Sequence, residues 1–203
     1  MSNTTSKPRI GIILSTTREG RLADKPAAWI ADLGAARTDL EFETVDLRDH
    51  PLPFFEEVAG PMYVPVKNPV AQRWQQKLST FDGFIIVTAE YNHGPSAVLK
   101  NALDYAGHEW VRKPVAFVGY GGVGAARAIG QLRQTAVQLQ LAPVPAAVNI
   151  GGADFFAIWQ QGKDLADLPH LLPSAHALLD DLAWWTTALK AARESTAQLA
   201  AAA

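Results

Sequence analysis

The 203-residue chain is 48% hydrophobic and 19% charged, with 18 basic and 20 acidic residues for a formal net charge of −2. That length and composition suit a single globular domain over residues 1–203 and fit disordered, collagenous and coiled-coil classes poorly. The balanced charge offers no basic field for nucleic acid and no polybasic membrane anchor, and the lack of cysteine excludes disulfides, thiolate catalysis, iron–sulfur clusters and cysteine-ligated zinc.

Lys7 and Arg9 precede only a short apolar run, Ile10 to Leu14, too short for a signal-peptide core. No window reaches the roughly eighteen apolar residues of a spanning helix, so cytoplasmic residence is expected. The run Arg9–Ser15 predicts a first strand, and Leu22–Ala36 a helix after it. Glu41–Asp46 (EFETVD) alternates polar and apolar residues, as an edge strand does. Leu47–Asn68, with its PLPFF segment, reads as a long loop, and Pro69–Phe81 as a helix with Pro69 in the first position. Gly83–Thr88 and Pro114–Gly119 are nearly continuous apolar strands. They are separated by a helix over Pro95–Gly107 and followed by one over Gly124–Leu141. Val144–Ile150 is the fifth strand, and Gly151–Leu172 a second long loop containing Phe155, Phe156 and Trp159. A last helix starts near Pro173 and passes Leu189, with an alanine-rich tail, Thr196–Ala203, expected to fray.

This alternation of buried strands and helices predicts an α/β three-layer sandwich, a five-stranded parallel sheet of order 2-1-3-4-5 with helices on both faces. In such a sheet the ligand site lies beyond the carboxyl ends of the strands, where the order reverses. The loops after strands one, three and four are therefore the candidate site. Ser15, Thr16, Thr17, Arg18 and Arg21 leave the first strand as hydroxyl and guanidinium donors beside a helix N-terminus, which suits a phosphate. An ordinary helix cap with solvated arginines is the plain alternative. The loop lacks GxxxxGK[ST], so a nucleoside-triphosphatase reading fails.

The stretches STTREGR, AEYNHGPSAVLKNALDY and GYGG after strands one, three and four, with LPFFEE matching more loosely, resemble the NADPH-dependent FMN reductase family of flavodoxin-like proteins, which includes quinone, azo-dye and chromate reductases. The likeness runs from about Arg9 to Ile150. It implies a flavodoxin-like fold and an NAD(P)H-dependent FMN oxidoreductase. Reduced nicotinamide, NADPH or NADH, would deliver hydride to FMN, and the electrons would pass to a small acceptor such as a quinone, azo compound, metal oxyanion or free flavin. The resemblance places Ser15, Thr17 and Arg18 on the FMN phosphate, with Arg21 as a neighbour. It places Glu90, Tyr91, Asn92 and His93 along the isoalloxazine ring, and Gly121 and Gly122 at its pyrimidine edge, where these amides and the next helix N-terminus would face developing negative charge. No side-chain acid or base is required. A homodimer or homotetramer is implied too. The chain departs from the family at Ala89, where proline is common, and at Pro95-Ser96-Ala97.

Other motifs have simpler readings. Gly119 to Gly124 satisfies G-x-G-x-x-G, but the next acid is Asp154, too far on for a dinucleotide ribose contact. The five histidines include no i, i+4 pair, so no metal site is expected. Ser96 lies outside a nucleophile elbow. Lys100, Asn101 and Asp104 read as a solvated helix face with a Lys100–Asp104 pair. A flavodoxin-type electron carrier without nicotinamide chemistry and a non-redox phosphate-binding module are the competing functions.

Overall fold

Five strands, β1 (Arg9–Leu14), β2 (Glu41–Asp46), β3 (Gly83–Ala89), β4 (Pro114–Tyr120) and β5 (Ala142–Ile150), form one parallel sheet in the order β2-β1-β3-β4-β5. This is the expected topology, seen in a computed structural model that describes residues 7–201. Every residue of β3 and β4 is buried, because both faces are covered. β2 keeps its polar positions open at the edge. The register keeps the strand ends level. Leu14 stands opposite Val87, Val87 opposite Val118, and Val118 opposite Val148. The following loops therefore emerge at one rim.

The helices α1 (Asp24–Ala35), α2 (Pro69–Ser79), α3 (Ala97–Asp104), α4 (Ala126–Gln138), α5 (Gly152–Gln160) and α6 (Leu172–Ala201) divide between the two faces. Ile12, Ile85, Val118 and Val148 pack under α1, α5 and α6, while Ile13, Phe84, Ile86 and Phe117 pack under α2, α3 and α4 around the fully buried Trp74 and Trp110. Asn68 caps α2 by accepting from the amides of Val70 and Ala71, with Pro69 in the first turn as expected. At the β5 edge the pairing slips between Val115 and Phe117. Two prolines, Pro143 and Pro145, occupy that irregular stretch, where a missing N–H matters least. Arg133 satisfies the freed carbonyls of Val144 and Pro145 at 2.6 and 2.8 Å.

Several boundaries differ from the sequence expectation. α1 starts at Asp24 rather than Leu22, and α4 starts at Ala126 rather than Gly124 because Gly124 and Ala125 are left-handed. α3 starts at Ala97 because a tight turn occupies Tyr91–Gly94. The segment Gly151–Leu172 is no irregular loop. It carries α5 and two single turns of 3-10 helix, Leu165–Asp167 and Pro169–Leu171, since Ala157 and Ile158 find a buried face. The tail expected to fray is helical through Ala201, as alanine's strong helix propensity allows; residues 202–203 lie outside the described residues. The start of the chain, residues 1–6, which enters the leader-segment expectation, also lies outside them.

Candidate functional site

Loop one leaves β1 at Ser15, whose amide still donates to Val87 O at 3.1 Å. Ser15 is fully buried, yet its Oγ has no hydrogen-bond partner, the one such buried side-chain atom among the described residues. The amides of Thr16 through Leu22 also donate to nothing among the described residues. Unpaired hydroxyl and amide donors ahead of a helix N-terminus make an anion cradle. Arg18 borders it. Its Nε donates to Tyr91 Oη at 3.0 Å and one terminal nitrogen holds the Glu19 and Gly20 carbonyls. The other terminal nitrogen has no partner among the described residues, so the exposed guanidinium keeps donors for a ligand.

Arg21 corrects the expectation of a phosphate neighbour. Its guanidinium is buried, 2% exposed. Nε and one terminal nitrogen fork onto Asp24, both terminal nitrogens fork onto Asp46, and one of them also reaches Thr16 O at 2.6 Å. All five N–H donors of an arginine are thereby used. The hydrogen bond to Arg21 holds the Asp24 carboxyl below its usual range, despite the opposing effect of burial. Burial pushes Asp46 up, but hydrogen bonds from Arg21 and Arg48 outweigh it and keep Asp46 well below the usual carboxylate range. Arg21 thus ties loop one to the end of β2 and is a positioning residue.

Loop three turns sharply. Tyr91 and Gly94 exchange backbone hydrogen bonds at 2.9 and 3.0 Å, and the residues between them, Asn92 (φ 49°) and His93 (φ 72°), are both left-handed. That is the geometry of a two-residue I′ turn, held here without glycine at either central position. Arg127 supports it, one terminal nitrogen meeting His93 Nε2 at 2.6 Å, and Gln131 donates to His93 O at 2.9 Å. Ser96 caps α3 by accepting from Leu99 N and donates to Ser15 O, which joins loop three to loop one. Thr16 Oγ1 and Tyr120 Oη lie 3.2 Å apart, which joins loop one to the end of β4; burial pushes the Tyr120 hydroxyl up to about 12, so it stays a neutral partner.

In loop four, Gly121 (φ 144°) and Gly124 (φ 62°) occupy backbone that L side chains rarely adopt. Around Gly122 there is open space, and the amides of Gly122 and Val123 donate to nothing among the described residues. The amides of Arg127 and Ala128, at the start of α4, are engaged by the Glu90 carboxylate, which also pairs with the Arg127 guanidinium. Burial pushes Glu90 up, but the bonds from Arg127 and the two amides outweigh it and lower it. The α4 N-terminus therefore serves Glu90, correcting the expectation that it faces a ligand.

Beside Thr17 opens a cleft of about 360 Å³, walled by Leu47, Leu52, Phe54, Ala97 and Val98, with Arg48, His50 and Asn101 as its polar members. Asn101 anchors the second loop, donating to Pro53 O at 2.7 Å and accepting from Phe55 N at 2.9 Å. It is no solvated-face residue, whereas Lys100 and Asp104 do pair on the exposed side. The fold thus gathers Ser15, Thr17, Arg18, Glu90, Tyr91, Asn92, His93, Gly121 and Gly122 on three loops at one rim. Only Arg21 turns away. Sequence reasoning missed Asp46, Ser96, Tyr120 and Arg127, whose roles depend on partners distant in the chain.

Comparison with known proteins gives a concordant picture. A family model described as NADPH-dependent FMN reductase matches residues 8–154. An NAD(P)H-dependent FMN reductase of Schizosaccharomyces pombe is 37% identical over 147 residues, 70% of this chain and 74% of that one. A 2-hydroxy-1,4-benzoquinone reductase of Burkholderia sp is 31% identical over 66% of this chain and 72% of its own. Among solved structures, the flavoenzyme FerB, an NAD(P)H:(acceptor) oxidoreductase from Paracoccus denitrificans, superposes with a TM-score of 0.64 at 22% identity. That match covers 86% of this chain and 97% of FerB, and it shows the shared fold.

Proposed function

The chain belongs to the NADPH-dependent FMN reductase family, and on that premise we propose that its three-loop rim holds FMN and that a reduced nicotinamide and then a quinone exchange electrons there. The observation that carries this reading is the buried, unpartnered Ser15 Oγ beside the undonated amides of loop one. Buried polar groups are almost always satisfied, and a phosphate would satisfy these. When bound, FMN would supply two-electron redox chemistry between a nicotinamide and an acceptor.

The chain's own residues bind and orient. Ser15 and Thr17 would donate hydroxyls to the phosphate, and Arg18 would add a charge-assisted contact. Arg21, Ser96 and the Thr16–Tyr120 pair keep loop one in place through bonds within the protein. The hydrogen-bonded Tyr91–Gly94 turn would border the ring, and the undonated amides of Gly122 and Val123 would favour negative charge developing on it. The Leu52, Phe54 and Val98 cleft offers an apolar wall nearby. A quinone acceptor is supported by the quinone reductase among the relatives.

Anaerobic addition of NADPH to the FMN-loaded protein is expected to bleach its visible absorbance, and 1,4-benzoquinone to restore it. A spectrum that NADPH leaves unchanged while dithionite bleaches it would contradict this reading and favour an electron carrier. Phe54 and Tyr63, 82% and 87% exposed, are where we place a second copy of the chain. Sedimentation is expected to give a dimer for the native chain and a monomer for Phe54→Asp/Tyr63→Asp. A monomeric native chain would refute the placement.

A further inference from the structure

Resting on the flavin reading above, we infer that Phe155, Phe156 and Trp159 of α5 form the platform on which a flat aromatic acceptor, a quinone, is seated.

The placement of α5 suggests it. The helix begins on loop four, where Gly152 N donates to Gly122 O at 3.0 Å. It ends over the first turn of α1, where Lys25 Nζ holds the carbonyls of Ile158 and Lys163 at 3.5 and 2.9 Å. α5 therefore runs along the rim from the loop assigned to the pyrimidine edge to the helix that follows the phosphate loop, and Phe156 stands only about 6 Å along the helix axis from Gly152. Ala157 and Ile158 face the core, fixing the opposite side outward.

That outward side is aromatic. The Phe155 and Trp159 rings stack, with centroids 5.4 Å apart at 24°, and Phe156 meets both, at 5.4 and 6.0 Å. Phe156 is 42% and Trp159 52% exposed. Phe155 is half-buried against the core and backs the other two rings. Exposed rings forgo the burial that stabilises other aromatic side chains, and Phe156 and Trp159 so supported beside a ligand loop offer an apolar, polarisable surface suited to another ring. The family match ends at residue 154, one position before Phe155. The reaction the platform serves balances as NAD(P)H + H⁺ + quinone → NAD(P)⁺ + hydroquinone, so the platform need only bind and orient.

The test titrates 1,4-naphthoquinone into the oxidised, FMN-loaded protein by calorimetry, without nicotinamide, and compares the native chain with Phe156→Ala/Trp159→Ala and with Trp184→Ala, an exposed tryptophan elsewhere on α6. In the double variant the quinone Kd is expected to rise about tenfold, near the upper range for a stacked aromatic pair. The quinone KM should rise likewise, while kcat, FMN affinity and the rate of NADPH bleaching stay native. Trp184→Ala should match the native chain. An unchanged quinone Kd in the double variant overturns the inference. So does loss of quinone affinity only together with a change in sedimentation, which would make the rings a subunit contact. Failure of every variant and the native chain to take up FMN would instead overturn the flavin reading.

Discussion

A buried hydroxyl left without a partner costs roughly 1–3 kcal/mol, and Ser15 Oγ is such an atom among the described residues. Ser15→Ala removes that cost from the protein alone and also removes a donor from the cradle. Thermal melting of the apoprotein is expected to stay level or rise by a few degrees, while FMN affinity falls about tenfold, the effect of one lost hydrogen bond. A melting point lowered by several degrees would show that Ser15 serves the fold alone. That Ser15, Thr17 and Arg18 share the loop leaving β1 was legible in the sequence, because they directly follow a buried apolar run. Arg21 was not, since its direction is set by Asp46, 25 positions later, and nothing local marks that fork. Glu90 was legible as a rim residue, but its commitment to the α4 amides depends on a helix start 36 residues away.

Strands β1, β3 and β4 could be read directly, because burial on both faces leaves nearly continuous apolar runs. α5 could not, since glycines at 151 and 152 and a run of large rings carry little helical period, and Ala157 and Ile158 alone mark its inner side. The left-handed Asn92 and His93 displaced the start of α3 past Pro95, a shift only turn geometry reveals. At the opposite end of the sheet from the site, the chain enters β4 through Lys113. Its Nζ donates to Leu78 O at 3.2 Å and sits 5.6 Å over the Phe84 ring. Burial lowers its pKa to about 8, below the unfolded value near 10.4. Between these values the unfolded chain holds a proton that the folded one has released. Stability therefore rises with pH across that window, and below about 8 protonating the buried amine carries a cost. Lys113→Met is expected to abolish that rise and, after losing the carbonyl bond, to gain on the order of 1 kcal/mol at pH 7. Denaturant melts from pH 7 to 10 check it; a native chain with no rise above pH 8 would contradict the assignment.

At the scale of the molecule, strand order follows from two features of the sequence. The one alternating strand, β2, belongs at an edge, and the remaining runs are connected by helices long enough for right-handed crossovers. Level strand ends then bring loops one, three and four to one rim without any local signal that they meet. The family resemblance named the candidate residues, and the fold explains why their loops converge. It also separates contacts that hold the cradle, through Arg21, Ser96 and Tyr120, from those left free to hold a ligand.

The central claim is that loop one grips a phosphate. Titrating the apoprotein with FMN and with riboflavin, which differ only in that group, tests it most directly. FMN is expected to bind at least about a hundredfold more tightly, the worth of two charge-assisted hydrogen bonds, and Arg18→Ala should close roughly half of that gap on a logarithmic scale. Equal affinity for the two flavins, or no uptake of either, would contradict the account.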